Sequence, residues 1–563
     1  MILDLTFNTP INKKFNQRFE KIIQDSVVDF HKIVDDISKK NLNNIDWWVS
    51  SVSSRNTLHS PFFYYFSSIN FLLSLNDKDK KSISLIYADN IHMLRIYNYI
   101  LLDKKIKIKL KKSFLLKKIF IFIKNYFELF RQIFYRLFQY LLANFVFYKT
   151  YNFHNKKINI IDKYFFPEFL DKERYYNGIF DFLSKKQIQN TFFVSTIVMF
   201  KIHKLPYVYK TLIKKKNLII KEHFLNYRDY FFALMYHKRI KLINIDNIHY
   251  KKIDLTNLIR FELSQTNLSL FASVEALLNY RFFYKLKLLK LKIDTSVDWF
   301  ENQIVDRGWN LGLNRNYKNA KSFGYLGFIP KDMLLSEMYV TEYEHKAEAI
   351  PKKLFVIGKN LIKDRKKFCK KYEVDVAPAF RFYNLFKVQH KKISKKSICI
   401  ILPVILEDSI ELLDTFEKIN TNIINKKIDI FIKPHPTLNK IMKEKLNSLN
   451  FKYSIIKNNI YDYITSSSLV ITGASSICME TISLGVPLAI IKFNRNFQFI
   501  PIPSDVDSNL WKLCENTEDL LSYINKSLNS NFLNDKNRIS NAKKIMNRYF
   551  EKPTYNSVKK IIN

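Results

Sequence analysis

The chain has 563 residues, of which 47% are hydrophobic and 25% are charged, and its formal net charge is +41. This length supports two or three domains with large cores, and this composition excludes a disordered chain. The positive charge predicts an anionic partner, which is a membrane surface, a nucleic acid or a phosphorylated substrate. Part of the excess follows from a composition rich in Lys and Asn and poor in Gly and Ala, as in chains encoded by AT-rich genomes.

The cysteines and the first residues predict a protein of the reducing cytoplasm. The four cysteines are far apart and show no metal-ligand spacing. Cys399 and Cys478 sit in apolar runs and are expected to be core thiols. The first residues lack the basic stretch and apolar core of a signal peptide. No apolar run approaches the roughly 20 residues that span a bilayer.

The first hundred residues predict the beginning of an α/β domain, with a helical opening and a strand at 82–88. The turn formed by Ser54, Arg55 and Asn56 is a candidate site for an anion or a sugar. The alternative is an exposed polar turn without a ligand.

The composition changes sharply at 104–136, where eleven basic residues stand against one acid, Glu128. One polar stripe recurs at helical spacing, and the other faces are rich in phenylalanine; the stripe consists of Lys117, Lys124, Glu128, Arg131, Arg136 and Gln139. A basic, aromatic, amphipathic helix of this kind suits the surface of an anionic membrane. The alternative is a helix packed inside the domain. No nucleic-acid module is recognisable, so we expect no specific nucleic-acid partner.

Strand and helix signals alternate again from 150 onwards. Apolar strands are predicted at 158–161, 192–198 and 240–245, and a long helical region is predicted at 255–291. This order favours an α/β domain with a mainly parallel sheet.

The segment 297–330 concentrates half of the eight glycines and two of the five tryptophans. Dense aromatic, charged and glycine usage predicts a loop-rich site. Two of its acids, Glu301 and Asp306, are candidate bases. The amide neighbours Asn302 and Gln303 can orient Glu301, whereas Arg307 is expected to pair with Asp306 and lower its pKa.

The stretch 430–487 predicts a phosphate-binding arrangement. A strand at 430–432 runs into Lys433-Pro434-His435-Pro436, and the two prolines hold His435 rigidly at the carboxyl edge of the sheet. A second strand, at 468–472, ends at Gly473-Ala474-Ser475-Ser476 before a helix at 477–484.

The N–H groups at this helix start attract an anion, and Gly473 is expected to let the backbone approach it. Glu480 lies on the same helix face as Ser476, where it can accept two ribose hydroxyls. The alternative is an ordinary strand–helix unit with a polar turn.

The predicted architecture is α/β, with two Rossmann-like domains facing across a cleft. The first domain covers 1–388 and contains the basic amphipathic helical insertion at about 104–149 and the site loop 297–330. A lysine-rich linker at 389–396 leads to the second domain, 397–530, and 531–563 predicts a C-terminal helix that crosses back.

Six stretches together resemble one group of enzymes. They are Ser53-Ser54-Arg55-Asn56, residues 299–303, 306–310, 324–328 and 377–382, and Lys433-Pro434-His435-Pro436. As a set they look like GT-B glycosyltransferases of bacterial surface-carbohydrate and capsule synthesis, a group similar to sialyltransferases, polysialyltransferases and Kdo transferases.

The resemblance implies roles for these residues. His435, Ser475 and Ser476 would contact the donor phosphate, and an acid of the first domain, Glu301, would be the base. The usual acidic-acidic-glycine pattern is absent, because Asn302 follows Glu301. Lys433, Pro436, Gly473 and Glu480 complete the expected nucleotide-sugar site. The expected acceptor or substrate contacts are Ser54, Arg55, Asn56, Asn302, Gln303, Asp306, Arg307 and Arg381, the last being equally interpretable as half of a structural salt bridge.

The implied activity is metal-independent, inverting transfer from a CMP-linked acidic sugar to a glycan or glycolipid acceptor. It would build a cell-surface polysaccharide such as capsule or lipopolysaccharide. We expect no cofactor and no metal site, since the nucleotide sugar is a substrate, and a peripheral location at the inner face of the cytoplasmic membrane.

Two alternatives stay open. One is a transferase that moves an alditol phosphate from a CDP-linked donor, and the other is a non-catalytic membrane- or RNA-binding scaffold.

Overall fold

Our computed structural model describes residues 1–7, 9–102, 106–111, 114–153, 157–265, 269–388, 396–424, 428–438, 441–457, 459–495, 499–529 and 536–562. Within the helices, it describes the backbone alone at 114–122 and 420–424. The predicted linker at 389–396 therefore lies almost wholly outside the described residues.

The strands are short and mostly parallel. They are β1 (Ile2–Asp4), β2 (Leu85–Ala88), β3 (Lys107–Leu110), β4 (Lys157–Phe165), β5 (Thr191–Ile197), β6 (Leu218–Ile219), β7 (His249–Tyr250), β8 (Ile253–Asp254), β9 (Lys292–Trp299), β10 (Lys321–Leu326), β11 (Lys353–Val356), β12 (Glu373–Val376), β13 (Ser397–Ile401), β14 (Asp429–Lys433), β15 (Ser454–Ile455), β16 (Leu469–Thr472), β17 (Leu488–Ile491) and β18 (Trp511–Cys514).

Two parallel sheets dominate the fold. The first has the order β12-β11-β10-β9-β4-β5-β6, and the second has the order β15-β14-β13-β16-β17-β18. A small parallel sheet, β1-β2-β3, lies at the start of the chain, and β7 and β8 form an antiparallel pair. The predicted α/β architecture with two Rossmann-like domains is confirmed.

The helices cover both large sheets. They are α1 (Asn16–Asp25), α2 (Val27–Lys40), α3 (Ile45–Trp48), α4 (Ser51–Ser54), α5 (Phe62–Ser74), α6 (Asp77–Ser82), α7 (Ile91–Ile100), α8 (Phe114–Leu141), α9 (Lys185–Asn190), α10 (Leu205–Leu212), α11 (Tyr227–Leu234), α12 (Tyr236–Arg239), α13 (Thr256–Ser264), α14 (Leu270–Leu288), α15 (Ile304–Asn316), α16 (Leu335–Met338), α17 (Glu342–Lys346), α18 (Ile362–Arg365), α19 (Leu406–Ile424), α20 (Lys443–Asn447), α21 (Ile460–Ser466), α22 (Ile477–Ser483), α23 (Thr517–Ser527), α24 (Lys536–Tyr549) and α25 (Tyr555–Lys559). Of the helices in the described ranges, none has the length and apolar composition to cross a membrane.

The composition of the central strands of the second sheet explains why the sequence favours this fold. All residues of β13, β16 and β17 are buried, and most of them are Ile, Leu or Val. Continuous apolar runs of this kind are typical of parallel sheets covered on both faces. Cys399 and Cys478 are buried free thiols, as predicted.

The glycine-rich segment 297–330 is regular structure, and the prediction of a loop-rich site there is wrong. It forms the end of β9, the helix α15 and the strand β10. A Cβ on Gly308 would overlap the backbone of Ala276 in α14, and one on Gly312 would come within 2.8 Å of the Tyr280 Cα. These two glycines let α15 lie directly against α14, so they serve close helix packing.

The strand predicted at 240–245 is also wrong. Ile240–Leu242 is a 3₁₀ turn, and Ile240, Ile243 and Ile245 are buried without joining a sheet. The Asn41 side chain accepts from the Asn244 backbone N–H at 3.0 Å and donates to the Asn244 carbonyl at 2.6 Å. The Asn41 side chain thus makes the backbone hydrogen bonds to Asn244 that a neighbouring strand would make.

The polar stripe of α8 is divided between the surface and the interior, because Lys124 and Arg131 are exposed. Arg136 and Gln139 are buried, and Arg136 donates to Glu275 of α14 at 2.6 Å. Phe127 and Phe130 instead face outward. Buried carboxylates of the domain interior attract the arginine, so part of the polar stripe packs inward; Lys117 lies where side chains are not described.

The C-terminal segment lies against both domains. Ala542 and Ile545 of α24 belong to the same core cluster as residues of α22. Past α24, the Glu551 N–H donates to the Ile357 carbonyl at 2.6 Å, and the Glu551 carbonyl accepts from Ala379 N–H at 2.8 Å. The last described residues therefore complete the first domain.

Replacing Gly308 by alanine should destabilise the first domain by about 1–3 kcal/mol, because the added methyl group overpacks the contact with Ala276. The measurement is the apparent melting temperature of the purified variant. Arg315→Ala near the end of the same helix is the control and should melt close to wild type. A Gly308→Ala protein as stable as wild type would contradict the packing role.

Candidate functional site

The carboxyl edges of the two large sheets define the candidate site. In the first sheet the strand order reverses between β4 and β9, and in the second between β13 and β16. Ligands of open α/β sheets bind at such reversal points, outside the carboxyl ends of the strands. The loops that follow these strands bring side chains from both domains together.

Three cations of the first domain meet there. Arg174 follows β4, Lys331 follows β10 and Arg381 follows β12. Burial and the neighbouring charge of Arg381 lower the pKa of Arg174. Burial also lowers the pKa of Lys331, and Arg381 acts in the same direction. Because the charge of Arg381 disfavours the charges of both Arg174 and Lys331, an anion would be stabilised beside these three cations.

His435 of the second domain faces this cluster. Burial, and then the charges of Arg174, Arg381 and Lys331, lower its pKa to about 4. The Thr437 backbone N–H donates to the His435 Nδ1 at 3.4 Å. The Thr437 hydroxyl contacts the same nitrogen at 2.7 Å. The imidazole is neutral at pH 7, and an Nδ1 that accepts from Thr437 leaves the ring proton on Nε2, where it can be donated to an anion.

Ser476, the second of the two predicted serines, lies beside Arg381. Ser475 and Ser476 precede α22 and are half-exposed, and neither caps the helix with its side chain. Arg381 donates from Nη2 to the Ser476 Oγ at 3.5 Å, which links the two domains. The structure thus brings Ser476, a predicted phosphate contact, together with Arg381, a predicted acceptor or substrate contact, and His435 faces the same cations.

Gly473 has a different role from the one expected. A Cβ at this position would overlap the ring of Phe493 and come within 3.4 Å of Pro403. The space that a side chain would fill is already occupied by Phe493, so the glycine serves packing. The prediction that it opens the backbone to an anion is wrong.

Of the remaining predicted nucleotide-site residues, Lys433 and Glu480 form hydrogen bonds within the protein. The Lys433 Nζ donates to the Ile456 carbonyl at 3.0 Å, so the structure directs this ammonium to the neighbouring strand and not to the cation cluster. The Tyr461 hydroxyl donates to the buried Glu480. Burial raises the pKa of Glu480 to about 7. Pro436 is exposed and opens the 3₁₀ turn Pro436–Leu438.

Glu301 is half-exposed and firmly oriented at the end of β9. The Trp299 Nε1 donates to Oε1 at 2.8 Å, and the Gln303 Nε2 donates to Oε2 at 2.6 Å. Asn302, the other expected orienting amide, instead donates to the Tyr339 carbonyl at 3.2 Å. Two neutral donors fix the carboxylate without neutralising it, which is the arrangement a general base needs.

Asp306 is a structural carboxylate. It is buried, its Oδ2 accepts from the N–H groups of Glu301 and Gln303, and its Oδ1 accepts from the Tyr164 hydroxyl. The expected pairing with Arg307 is wrong: burial and the charge of Glu301 raise the pKa of Asp306 to about 7. Asp306 is 2% exposed and does not reach a substrate, whereas Glu301 is half-exposed.

Several predicted substrate contacts belong to one buried ion cluster around Glu344. Arg55 and Arg307 both donate to Glu344, Arg55 at 2.5 Å, and Asn302 donates to it at 3.3 Å. The Ser53 hydroxyl accepts from Arg307 at 2.9 Å. The acceptor-binding role of Arg55, Asn302 and Arg307 is therefore corrected to a structural one.

Ser54 and Asn56 are buried as well, so the alternative of an exposed polar turn is also wrong. Arg55 adopts the left-handed conformation with φ of 56°. This turn sends its side chain inward to Glu344, and neither hypothesis for the turn anticipated a buried arginine.

Sequence analysis missed Arg174, Lys331 and Glu337. Each follows a strand of the first sheet in an irregular or short helical segment, where no hydrophobic periodicity marks its position. Burial and the charge of Glu301 raise the pKa of Glu337 to about 8. Glu337 and Lys331 also act on each other, because the charge of each favours the charged form of the other. The signal in the sequence that could have predicted Arg174 and Lys331 is a basic residue in a loop after an apolar strand.

In the described part of the chain, no three His, Cys, Asp or Glu side chains are arranged to hold a metal ion. The metal-independent route stays a prediction.

Arg55→Ala should lower the free energy of unfolding by about 3–5 kcal/mol, because it leaves part of a buried ion cluster uncompensated. Nucleotide binding by the folded fraction should be unchanged, measured by calorimetry below the melting temperature. Arg260→Ala removes an exposed pair with Asp246 and is the control, expected within about 1 kcal/mol of wild type. A folded Arg55→Ala protein without nucleotide affinity would return this residue to the binding site.

No protein-family model and no curated protein sequence matches the chain. Similar solved structures include S. aureus MnaA with UDP, at 12% identity, covering 73% of this chain and 95% of that chain with a TM-score of 0.40. A UDP-GlcNAc 2-epimerase from Neisseria meningitidis bound to UDP-GlcNAc has 13% identity, covers 72% and 98%, and also has a TM-score of 0.40. MurG from Acinetobacter baumannii has 11% identity, covers 72% and 99%, and has a TM-score of 0.35. Identities of this size bear on the fold alone.

Proposed function

We propose that the chain is a glycosyltransferase that moves a sugar from a nucleotide-activated donor to a glycan or glycolipid acceptor. The observation that carries the proposal is the meeting of Arg174, Lys331 and Arg381 of one domain with His435 and Ser476 of the other. An oriented carboxylate, Glu301, lies beside Arg174, which feels its charge.

The cation cluster would bind the donor phosphate and stabilise the leaving nucleotide. Positive charge and N–H or O–H donors that are fixed before the reaction stabilise developing negative charge without reorganisation. His435 would donate from Nε2, Ser475 and Ser476 from their hydroxyls, and Arg381 from its guanidinium. Arg174, Lys331 and Arg381 would supply the positive charge that a metal ion supplies in other transferases, and the neutral donors would add hydrogen bonds.

Glu301 would take the proton of the acceptor hydroxyl as its oxygen attacks the anomeric carbon. The bond to the leaving phosphate breaks on the opposite side, so the configuration inverts. A base held by Trp299 and Gln303 is ready for this step without searching for its orientation.

Glu480 would hold the donor ribose through its second oxygen. Tyr461 already donates to one carboxylate oxygen, which fixes the group. A ribose hydroxyl near the carboxylate would favour its charged form and lower its pKa from about 7.

We take a CMP-linked acidic sugar, such as sialic acid or Kdo, as the first donor class, because three cations exceed the single negative charge of its phosphodiester and would also balance a carboxylate. A cell-surface polysaccharide such as capsule or lipopolysaccharide would be the product. Its acceptor would be presented at the inner face of the cytoplasmic membrane, where the enzyme would associate peripherally.

The first experiment is a thermal-shift panel of CMP-, CDP- and UDP-linked compounds. A nucleotide at about a hundred times its Kd should stabilise the fold by roughly 2.7 kcal/mol. Stabilisation by CDP-linked alditols alone would favour the alditol-phosphate transferase. No stabilisation by any of them would leave the non-catalytic scaffold.

His435→Ala should abolish transfer and keep the fold, since the loss of one preorganised donor costs on the order of a hundredfold or more in turnover. Turnover of the purified variant, with circular dichroism as the check on folding, measures this. His249→Ala, at an exposed position, is the control. Wild-type turnover in folded His435→Ala would refute the assignment.

Glu301→Gln should retain nucleotide affinity and lose turnover, because it keeps the size and hydrogen bonding of the side chain and removes its basicity. The comparison is between the nucleotide Kd and kcat of the same preparation. Glu168→Gln, an exposed carboxylate near Arg174, is the matched control. If Glu301→Gln turned over normally and a folded Asp306→Asn protein were inactive, Asp306 would be the base.

A further inference from the structure

The outward side of α8 is an apolar surface. Phe127, Phe130 and Phe134 are 68%, 58% and 64% exposed, respectively. They recur at helical spacing with other exposed apolar side chains. We define the aromatic face of α8 as Ile123, Tyr126, Phe127, Phe130, Ile133, Phe134, Leu137 and Leu141, all of them exposed.

The opposite side of the helix fixes this orientation. Gln132, Arg136 and Gln139 are buried against the protein, and Arg136 donates to both Gln139 and Glu275, at 2.8 and 2.6 Å. A rotation that hid the phenylalanines would break this ion pair and leave Glu275 with fewer partners. The helix is therefore locked with its apolar side outward, the reverse of an ordinary surface helix.

The apolar surface continues beyond the helix. Phe145 and Val146 follow it and are exposed, and Leu242 is 78% exposed. A cavity of about 770 Å³ separates α8 from the segment that carries Leu242, with Tyr126 on its wall. Several exposed apolar side chains on one side of a protein mark an interaction site.

Basic side chains border the aromatic face. Lys124 and Arg131 are exposed on α8 itself, and Lys241 and Arg260 line the far wall of the cavity. Arg131 pairs with Glu128 and Arg260 pairs with Asp246, and both of these pairs are at the surface. The combination of aromatic side chains with flanking Lys and Arg is typical of helices that lie in the interface of an anionic bilayer.

We propose that the aromatic face of α8 inserts into the interface layer of an anionic membrane, with the basic border contacting lipid headgroups. A second copy of the chain is disfavoured as the occupant, because two molecules with a net charge of +41 repel each other. The inference deepens the membrane association proposed above. It is independent of the sugar chemistry, since it rests on α8 alone.

The mode of attachment differs from that of a basic stripe held by charge. Insertion removes aromatic surface from water, and this contribution is not screened by salt. The basic border adds an attraction that weakens as salt rises. Binding should therefore decline with salt but not disappear.

The test uses the full chain and vesicles of phosphatidylglycerol and phosphatidylethanolamine, with flotation at low and high salt. The variant carries Phe127→Ser, Phe130→Ser and Phe134→Ser together. Its partition onto vesicles should fall roughly a hundredfold, because three aromatic side chains no longer leave water. The matched control carries Met199→Ser, Tyr207→Ser and Tyr555→Ser, which are exposed apolar positions elsewhere, and should bind as wild type does.

Circular dichroism and nucleotide-induced thermal shifts check that both variants fold and keep the cleft. Vesicle binding by the phenylalanine variant equal to wild type would overturn the proposal, as would wild-type protein that ignores vesicles. A concentration-dependent wild-type dimer that becomes monomeric in this variant would assign the face to a second copy. If the wild-type protein binds vesicles but no nucleotide, the proposed function is refuted and the membrane proposal is supported.

Discussion

Parallel strands end at one edge of their sheet, and this constraint organises the whole molecule. Residues far apart in sequence, such as Arg174, Glu301 and Arg381, become neighbours because β4, β9 and β12 point the same way. The second sheet presents His435 and Ser476 by the same rule. Where the two edges meet, each domain contributes what the other lacks: the first supplies cations and an oriented carboxylate, and the second supplies neutral donors.

The buried charges of the first domain divide into two kinds. Glu344 and Glu275 neutralise the arginines that contact them, and these clusters hold segments together without taking part in chemistry. In the cleft the balance is different. The charge of Arg381 disfavours the charged forms of both Arg174 and Lys331, and burial raises the pKa of Glu337 to about 8. An anionic ligand beside these cations would favour their charged forms.

Periodicity predicts most of the strands and the two-sheet architecture, since apolar runs such as 398–401 and 469–472 suit only a covered parallel sheet. It does not predict what glycine is for: Gly308 and Gly473 are required by Ala276 and Phe493, which are distant in sequence. The same limit applies to the site. His435 and Glu301 stand next to strands and could be predicted, whereas Arg174 and Lys331 lie in irregular loops. Arg55 resembled a ligand contact because a polar turn does not reveal that its side chain points inward to Glu344.

The packing of residues 558–562 on the first domain affects the order in which the two domains fold during synthesis. Val558, Ile561 and Ile562 are buried in a core that also contains residues of β4, β9 and β11. The Gln187 side chain donates to the Ile562 carbonyl at 3.4 Å. During translation the second domain has all of its strands before this final segment leaves the ribosome. The first domain is made earlier, but the apolar surface that these residues cover stays exposed until they are made. The second domain is therefore able to finish folding before the first.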